Sequence, residues 1–396
     1  MTTKPSSRSL LSNNKEEGLY GLTTALVSAT KDAIGKNKTD LLRELILPLH
    51  AADLADLIER LSTDERHHLI TMVDDSISGE VLAFIEDNVR DEIIDQLDAR
   101  EVAAAISDLD TDDAVTVLED LDPPQQREIL EALPEEADRV GMTESLTYPE
   151  NTAGRLMQRE VISLPEFWTV GQTIDHMRES ADLPDDFYEI FVVNNSHEPI
   201  GTVRLDRLLR ERRPVRLRDI MGQKLHKIPA NTDQEEVGYL FDQYDLISAP
   251  VVGRSGRLIG AITVDDVLDV VQEEAEEDIL RLAGVSAESD IYTDTFKTLK
   301  SRFVWLALNL LTAVLASMVI GVFEGTIDQI VALAVLMPIV ASMGGNAGTQ
   351  TLTVAVRALA MNELSANTAW RVIAKETLVA SLNGIIFAVV SGIVAS

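Results

Sequence analysis

Two groups of residues in this chain could do chemistry, and in both cases it is the chemistry of cations. The stretch TVDDVLDVVQEEAEEDIL, residues 263–280, has the pattern of a helix. Spacings of three and four place Asp266, Asp269, Glu273 and Glu277 near one face, with Glu274 and Asp278 beside it. Facing carboxylates are the oxygen donors a hard divalent cation prefers. The second group interrupts an apolar run, LMPIVASMGGNAGTQTLTV, residues 336–354, with Pro338, Gly344, Gly345, Asn346, Gly348 and Gln350. Irregular main chain inside lipid is tolerated only where protein buries it or water lines it. These residues are therefore expected to unwind the helix and turn carbonyls and an amide toward a cavity, as broken helices of ion pathways do. Close helix packing through small residues is the other reading of the three glycines. It does not account for Asn346 and Gln350 at mid-span.

Other chemistries find no support. The chain has no cysteine, which excludes disulfides and thiolate metal sites, and its six histidines show no metal-ligand spacing. It contains no phosphate loop and no nucleophile paired with a base, so no catalytic site is argued and an enzyme is not expected. The net charge is −32, and residues 1–299 hold 29 basic against 62 acidic residues, −33. Such a surface repels phosphate backbones and attracts cations, so nucleic acid is not an expected partner. Glu324 and Asp328, four apart in the short loop EGTID, either focus cations at a pore mouth or are simply solvated.

The elements that must position these residues fall into three regions, which predicts a multidomain chain. Residues 1–39, which open on a polar stretch, are expected to be disordered. Residues 40–150 run through short amphipathic helices such as AADLADLIERL and GEVLAFIEDNV, at about twelve residues each, predicting an acidic, all-α superhelical domain. Residues 151–272 change grammar: EIFVVNNSHEPIGTVRLDRLL and SAPVVGRSGRLIGAITVDDVLDVV are two copies of strand, turn, strand beginning Ile-Gly, and helix. The boundaries fall at 151–215 and 216–272, followed by a charged connecting helix over 273–300. Residues 301–396 form an α-helical transmembrane region with apolar spans at 303–323, 329–356 and 377–396. Lys297, Lys300 and Arg302 precede the first span, and Arg357, Arg371 and Lys375 separate the second from the third. The positive-inside rule then places the amino-terminal 300 residues in the cytoplasm, on a multi-pass protein of the cytoplasmic membrane.

The paired copies resemble tandem CBS domains, an α/β regulatory module that often binds adenine nucleotides. In that module the pattern Gly260-x-x-Thr263-x-x-Asp266 grips a ribose, while Thr263 with Asp266 is also an approximate capping box. In the first copy the equivalent positions hold Arg204 and Arg207, which removes the usual ribose grip and argues against ATP.

Pro338 followed by Gly344-Gly-Asn-x-Gly-x-Gln350 resembles the signature of the MgtE family of magnesium channels, and the order of the preceding domains agrees. The resemblance covers the chain from about residue 40 onward and implies a homodimer that conducts Mg2+ between protomers and closes when cytosolic Mg2+ is high. It implies regulatory Mg2+ at Asp266, Asp269, Glu274, Glu277 and Asp278, at Asp233, Glu235 and Asp245 in the second copy, and at Asp112 or Asp113 in the helical domain. Family members have five spans, the last with a pore acid, so a chain with three spans is expected to be truncated and its pore incomplete. The alternative function is a non-conducting CBS-type sensor or scaffold of the membrane.

Overall fold

The computed structural model describes residues 22–73, 77–180, 183–184, 187–285, 295–360 and 366–395. The chain divides into two compact units, residues 1–270 and 271–396.

The first unit opens with short helices: α1 (Thr24–Gly35), α2 (Thr39–Ile46), α3 (Ala51–Glu59), α4 (Thr63–Val73), α5 (Gly79–Phe84), α6 (Asp87–Ile94), α7 (Ala99–Ile106), α8 (Thr111–Glu119), α9 (Pro123–Ala132) and α10 (Glu136–Ser145). One apolar core joins them, with Leu57, Leu82, Ile93 and Ile106 fully enclosed. Polar residues punctuate it: Asp98 closes a capping box with Glu101 at the start of α7, and a proline pair opens α9. Helix α1 corrects the expectation of disorder through residue 39, although residues 1–21 lie outside the described residues. Leu26, Thr30, Ala33 and Ile34 of α1 are buried, a helical stripe that holds it to the core despite its polar approach.

A four-residue helix, α11 (Ala153–Leu156), leads into two α/β repeats. The first holds β1 (Ser163–Pro165), α12 (Val170–Glu179), β2 (Glu189–Val193), β3 (Pro199–Arg204), α13 (Leu205–Arg210) and α14 (Leu217–Ile220). The second holds β4 (Ile228–Pro229), α15 (Gln234–Tyr244), β5 (Ser248–Val252), β6 (Leu258–Thr263) and α16 (Val264–Leu282). Their sheets are ordered alike, β1-β2-β3 and β4-β5-β6, each with a parallel then an antiparallel pair. The Ile-Gly in each copy has a steric reason. A Cβ on Gly201 would lie 2.6 Å from the Gly222 carbonyl oxygen, and one on Gly260 would lie 2.6 Å from that of Gln158. Phe191, Val193, Leu258 and Ala261 pack across the two sheets and make the repeats one body.

Helix α16 begins inside the second repeat and ends at Leu282, so the connecting helix starts earlier and stops sooner than 273–300. Gly284, at φ +69°, ends it in the left-handed conformation that glycine adopts without strain. Residues 286–294 are not described.

The second unit holds α17 (Thr295–Val322), α18 (Glu324–Gln329), α19 (Val331–Ala360) and α20 (Ala366–Ala395). Thr298–Val322 and Ala369–Ile393 are long and apolar enough to cross a membrane. Helix α19 matches the expected second span in place but not in form: it runs uninterrupted through Pro338, Gly344, Gly345 and Gly348. Hydrogen-bond demand supplies the reason. A continuous helix satisfies its amides and carbonyls within the segment itself. Pro338 forfeits one helical bond. Thr349 and Thr353 donate their hydroxyls to the carbonyls of Gly345 and Thr349, both at 3.0 Å.

Candidate functional site

The sequence-predicted acids separate into groups when placed on the fold. Asp112 and Asp113 occupy the first turn of α8, and Asp265, Asp266 and Asp269 the first turns of α16. Two local features bring these helix starts together. Helix α11, between the helical domain and the repeats, packs on α8, on α15 and on β4. Glu160, just after it, accepts from the Thr111 amide at 3.1 Å and the Thr111 hydroxyl at 2.6 Å.

The electrostatics of this contact are those of acids pressed together. Asp112 is only 7% exposed. Burial, then the charges of Asp266 and Asp113, hold its carboxyl well above the usual range. Asp266 is pushed from 3.8 up to about 7 by burial, with Asp265 and Asp113 adding to the effect. Asp113 is raised by burial and then by Asp265, Asp269 and Glu80, and Asp269 by burial and then by Asp265. Among the described residues none of these five aspartates forms an ion pair with a basic side chain. About two helix turns away, at the end of α8, Glu119 is pushed up to about 7 by burial even with Arg155 Nε at 3.8 Å.

Asp266 also caps its own helix, accepting from the Thr263 hydroxyl at 2.6 Å and the Thr263 amide at 3.3 Å. The capping reading and the cluster reading therefore describe the same carboxylate. One oxygen serves both bonds.

The remaining predicted ligands do not join this group. Glu274, Glu277 and Asp278 lie two and three turns further along α16, and Glu277 is ion-paired to Arg281. Asp233 and Asp245 stand at opposite ends of α15, Asp233 as N-cap accepting from the Glu235 amide at 3.0 Å and Asp245 as a left-handed C-cap at φ 51°. Both are exposed, and Glu235 follows in the first turn. Among the described residues no group of three or more histidines and acids is arranged to enclose a metal. The donors fit Mg2+ in a different way. They are hard carboxylate oxygens without cationic neighbours, in pairs from two domains, suited to an ion that keeps most of its water. Asp265 and Glu80 joined the cluster without being predicted. Asp265 lies off the face selected by helical spacing, and Glu80 lies in another helix altogether.

In the second unit Asn346 and Gln350 are exposed and one turn apart on α19. Apart from the chain neighbours and the nearby backbone of α19 itself, no atom of the described residues lies within 4 Å of where a Cβ would stand on Gly344, Gly345 or Gly348. Thr351 of α19 donates to Glu376 of α20 at 3.3 Å, a polar bond between two apolar helices that sequence reasoning did not single out. Glu324 and Asp328 are exposed on the short helix α18.

Comparison with known proteins follows the same divisions. The MgtE intracellular N domain matches residues 49–151, CBS domains match 153–213 and 217–273, and the MgtE divalent cation transporter domain matches 337–396. The magnesium transporter MgtE of Thermus thermophilus is 33% identical over 364 residues, 91% of this chain and 81% of that protein. The MgtE of Bacillus subtilis is 32% identical over 249 residues, 63% of this chain and 55% of that one. The chain thus spans about half the length of that relative. The solved cytosolic domain of the Mg2+ channel MgtE in complex with ATP is 29% identical, with TM-score 0.57, covering 62% of this chain and 99% of that one. The soluble part of a magnesium transporter, 24% identical with TM-score 0.55, shares the fold over 63% of this chain and 98% of its own. Helical domain, paired repeats and apolar helices all fall within these matches, and the chain is a membrane protein belonging to the MgtE family.

Proposed function

We propose that the chain is a subunit of a homodimeric, Mg2+-selective channel of the cytoplasmic membrane, gated by cytosolic Mg2+. The observation that carries the gating is the electrostatic coupling between the starts of α8 and α16, where burial and mutual repulsion raise Asp112, Asp113, Asp266 and Asp269 together. Ionised, these groups push the helical domain away from the second repeat. Asp112 and Asp113 on one side and Asp265, Asp266 and Asp269 on the other are the residues that would hold bridging Mg2+, which supplies the positive charge the interface lacks. Such an ion shifts the balance between open and closed arrangements only by its differential affinity for them. Several weak sites together turn a millimolar change into a few kcal/mol. Asn346 and Gln350 are the polar groups proposed to meet the hydrated ion in the membrane. A non-conducting sensor is the second reading, and the unbroken α19 favours it.

The full chain in proteoliposomes, with flux followed by a trapped Mg2+ dye, tests both. Channel function predicts entry at low Mg2+ and closure when Mg2+ on the side of the helical domain rises to about 10 mM, a concentration saturating for weak carboxylate sites. Asp112→Asn with Asp266→Asn should shift closure to higher Mg2+. Absence of flux at every concentration, with Mg2+-dependent protection from protease retained, would establish the sensor instead. Closure at the wild-type concentration in the double variant would remove this interface from gating.

A further inference from the structure

In a chain of net charge −32, one short stretch runs the other way: RLDRLLRERRPVRLR, residues 204–218, has seven arginines against Asp206 and Glu211. It covers the end of β3, α13 and the loop into α14. Arg204, Arg207 and Arg210 are spaced by three, so they share one side of α13. Leu208 is enclosed and fixes the opposite side to the core. The loop is pinned from behind: the amides of Val170 and Gly171 donate to the carbonyls of Val215 and Arg213, both at 2.8 Å. All seven arginines are exposed.

Three of them have acidic partners nearby: Arg204 with Asp206 at 3.1 Å, Arg213 with Asp175 at 2.6 Å, and Arg218 with Asp219 at 3.6 Å. Among the described residues Arg207, Arg210, Arg212 and Arg216 form no ion pair, although the chain carries 66 acids. Leu209, in their midst, is 71% exposed. Cations left unpaired on a rigid backbone around an exposed leucine do not contribute to packing. They match a surface that is anionic at its face and apolar just beneath.

We propose that this arginine ridge docks on the anionic phospholipid headgroups of the membrane that holds the chain's apolar helices. The planar guanidinium fork pairs with phosphate oxygens two at a time, which a point charge cannot do. Leucine among cations is the composition of segments that rest at the headgroup boundary. The rest of the cytosolic surface is acidic and repelled by an anionic leaflet, so the ridge would select which face of the repeats approaches the bilayer. A second copy's carboxylates are the weaker candidate, because acids of the same chain are at hand and the four arginines do not take them. The inference needs only membrane residence and stands independently of conduction.

The chain has no cysteine, so Leu209→Cys gives a single labelling point for an environment-sensitive fluorophore on this chain. The labelled protein is placed in nanodiscs of phosphatidylcholine alone, or with about one third phosphatidylglycerol, each doped with a headgroup nitroxide lipid as quencher. Quenching should be several-fold greater in the anionic discs, about the size expected for a handful of basic residues at a charged surface. It should fall to the neutral-disc level at about 0.5 M salt, where charges are screened within a few ångströms. The variant R207Q/R210Q/R212Q/R216Q should lose it, and the four corresponding Arg→Lys changes should keep part of it. A melting temperature unchanged by the glutamine variant guards against misfolding; if it falls, the lysine variant and the salt series decide. Equal quenching in both discs overturns the proposal, as does its absence from both. So does a fluorescence change that grows with protein concentration in detergent, which assigns the ridge to a second copy. A response to pyrophosphate in neutral discs, with none to anionic lipid, assigns it to free phosphate and overturns the proposal as well.

Discussion

Removing one negative charge from the α8–α16 contact should stabilise the protein when no divalent cation is present. Asp266→Asn is the clearest perturbation, because asparagine keeps the shape and leaves an oxygen to accept from Thr263. Raising this carboxyl from 3.8 to about 7 means that its ionised form costs the folded state up to about 4 kcal/mol at pH 8. A weakened cap returns about 1 kcal/mol of that, leaving a net gain of about 3 kcal/mol. At 2–4 °C per kcal/mol for a body of this size, melting should rise by about 6–12 °C. The sign with pH follows from proton uptake. The folded state holds the proton up to about pH 7 while the unfolded chain releases it near 3.8. The penalty is therefore full above pH 7, shrinks as pH falls through the folded value, and is gone near pH 4. Differential scanning fluorimetry of wild type and variant in EDTA, from pH 8 to pH 5, reads this directly. The gap should narrow with acidification, and about 10 mM Mg2+ at pH 8 should also narrow it by stabilising only the wild type. A variant that melts below wild type at pH 8 in EDTA would refute the reasoning, because capping would then outweigh repulsion at Asp266.

Asn346→Leu, which exchanges an amide on α19 for apolar bulk, should abolish Mg2+ entry in the liposome assay while leaving expression and oligomer size unchanged; unaltered flux would exclude Asn346 from the path. The full chain in detergent should bind ATP more weakly than micromolar, since Arg204 and Arg207 stand where the ribose grip is expected, and calorimetry showing a tighter constant would overturn this. Gly260→Ala, which puts a Cβ 2.6 Å from the Gln158 carbonyl oxygen, should destabilise the second repeat by about 1–3 kcal/mol, read as a lower melting temperature.

Much of the fold was legible because it is local. The helical domain showed apolar residues at helical spacing, and the two repeats showed the same strand-turn-strand order twice. Gly201 and Gly260 were visible as a repeated Ile-Gly, though the carbonyl that each accommodates was not. The site was legible in its residue types and only partly in its arrangement. Helical spacing selected Asp266 and Asp269 together with Glu273 and Glu277, because periodicity shows which residues share a side but not what that side meets. The start of α16 meets α8, so the first-turn Asp265 belongs to the cluster and the later glutamates do not. The expected break in α19 did not form because the segment satisfies its backbone hydrogen bonds as one continuous helix. Helix α1 was missed for a simpler reason: the polar residues ahead of it outweighed a short stripe of Leu26, Ala33 and Ile34.

The bond between Thr111 and Glu160 limits how the helical domain can leave the repeats. It fastens the first residue of α8 one position before Asp112, and the Arg155–Glu119 pair and the packing of α11 hold the same helix, so attachment and repulsion both fall on α8. A force applied beside a pin produces torque with little translation. The helical domain should therefore swing about the start of α8 when its neighbouring acids ionise. Displacement in a swing grows with the lever arm, so Asp112, next to the bond, moves little. Titrating a few carboxylates through a small local opening thus becomes a rotation whose displacement grows with distance from α8, and distance probes between α1 and the repeats would register it.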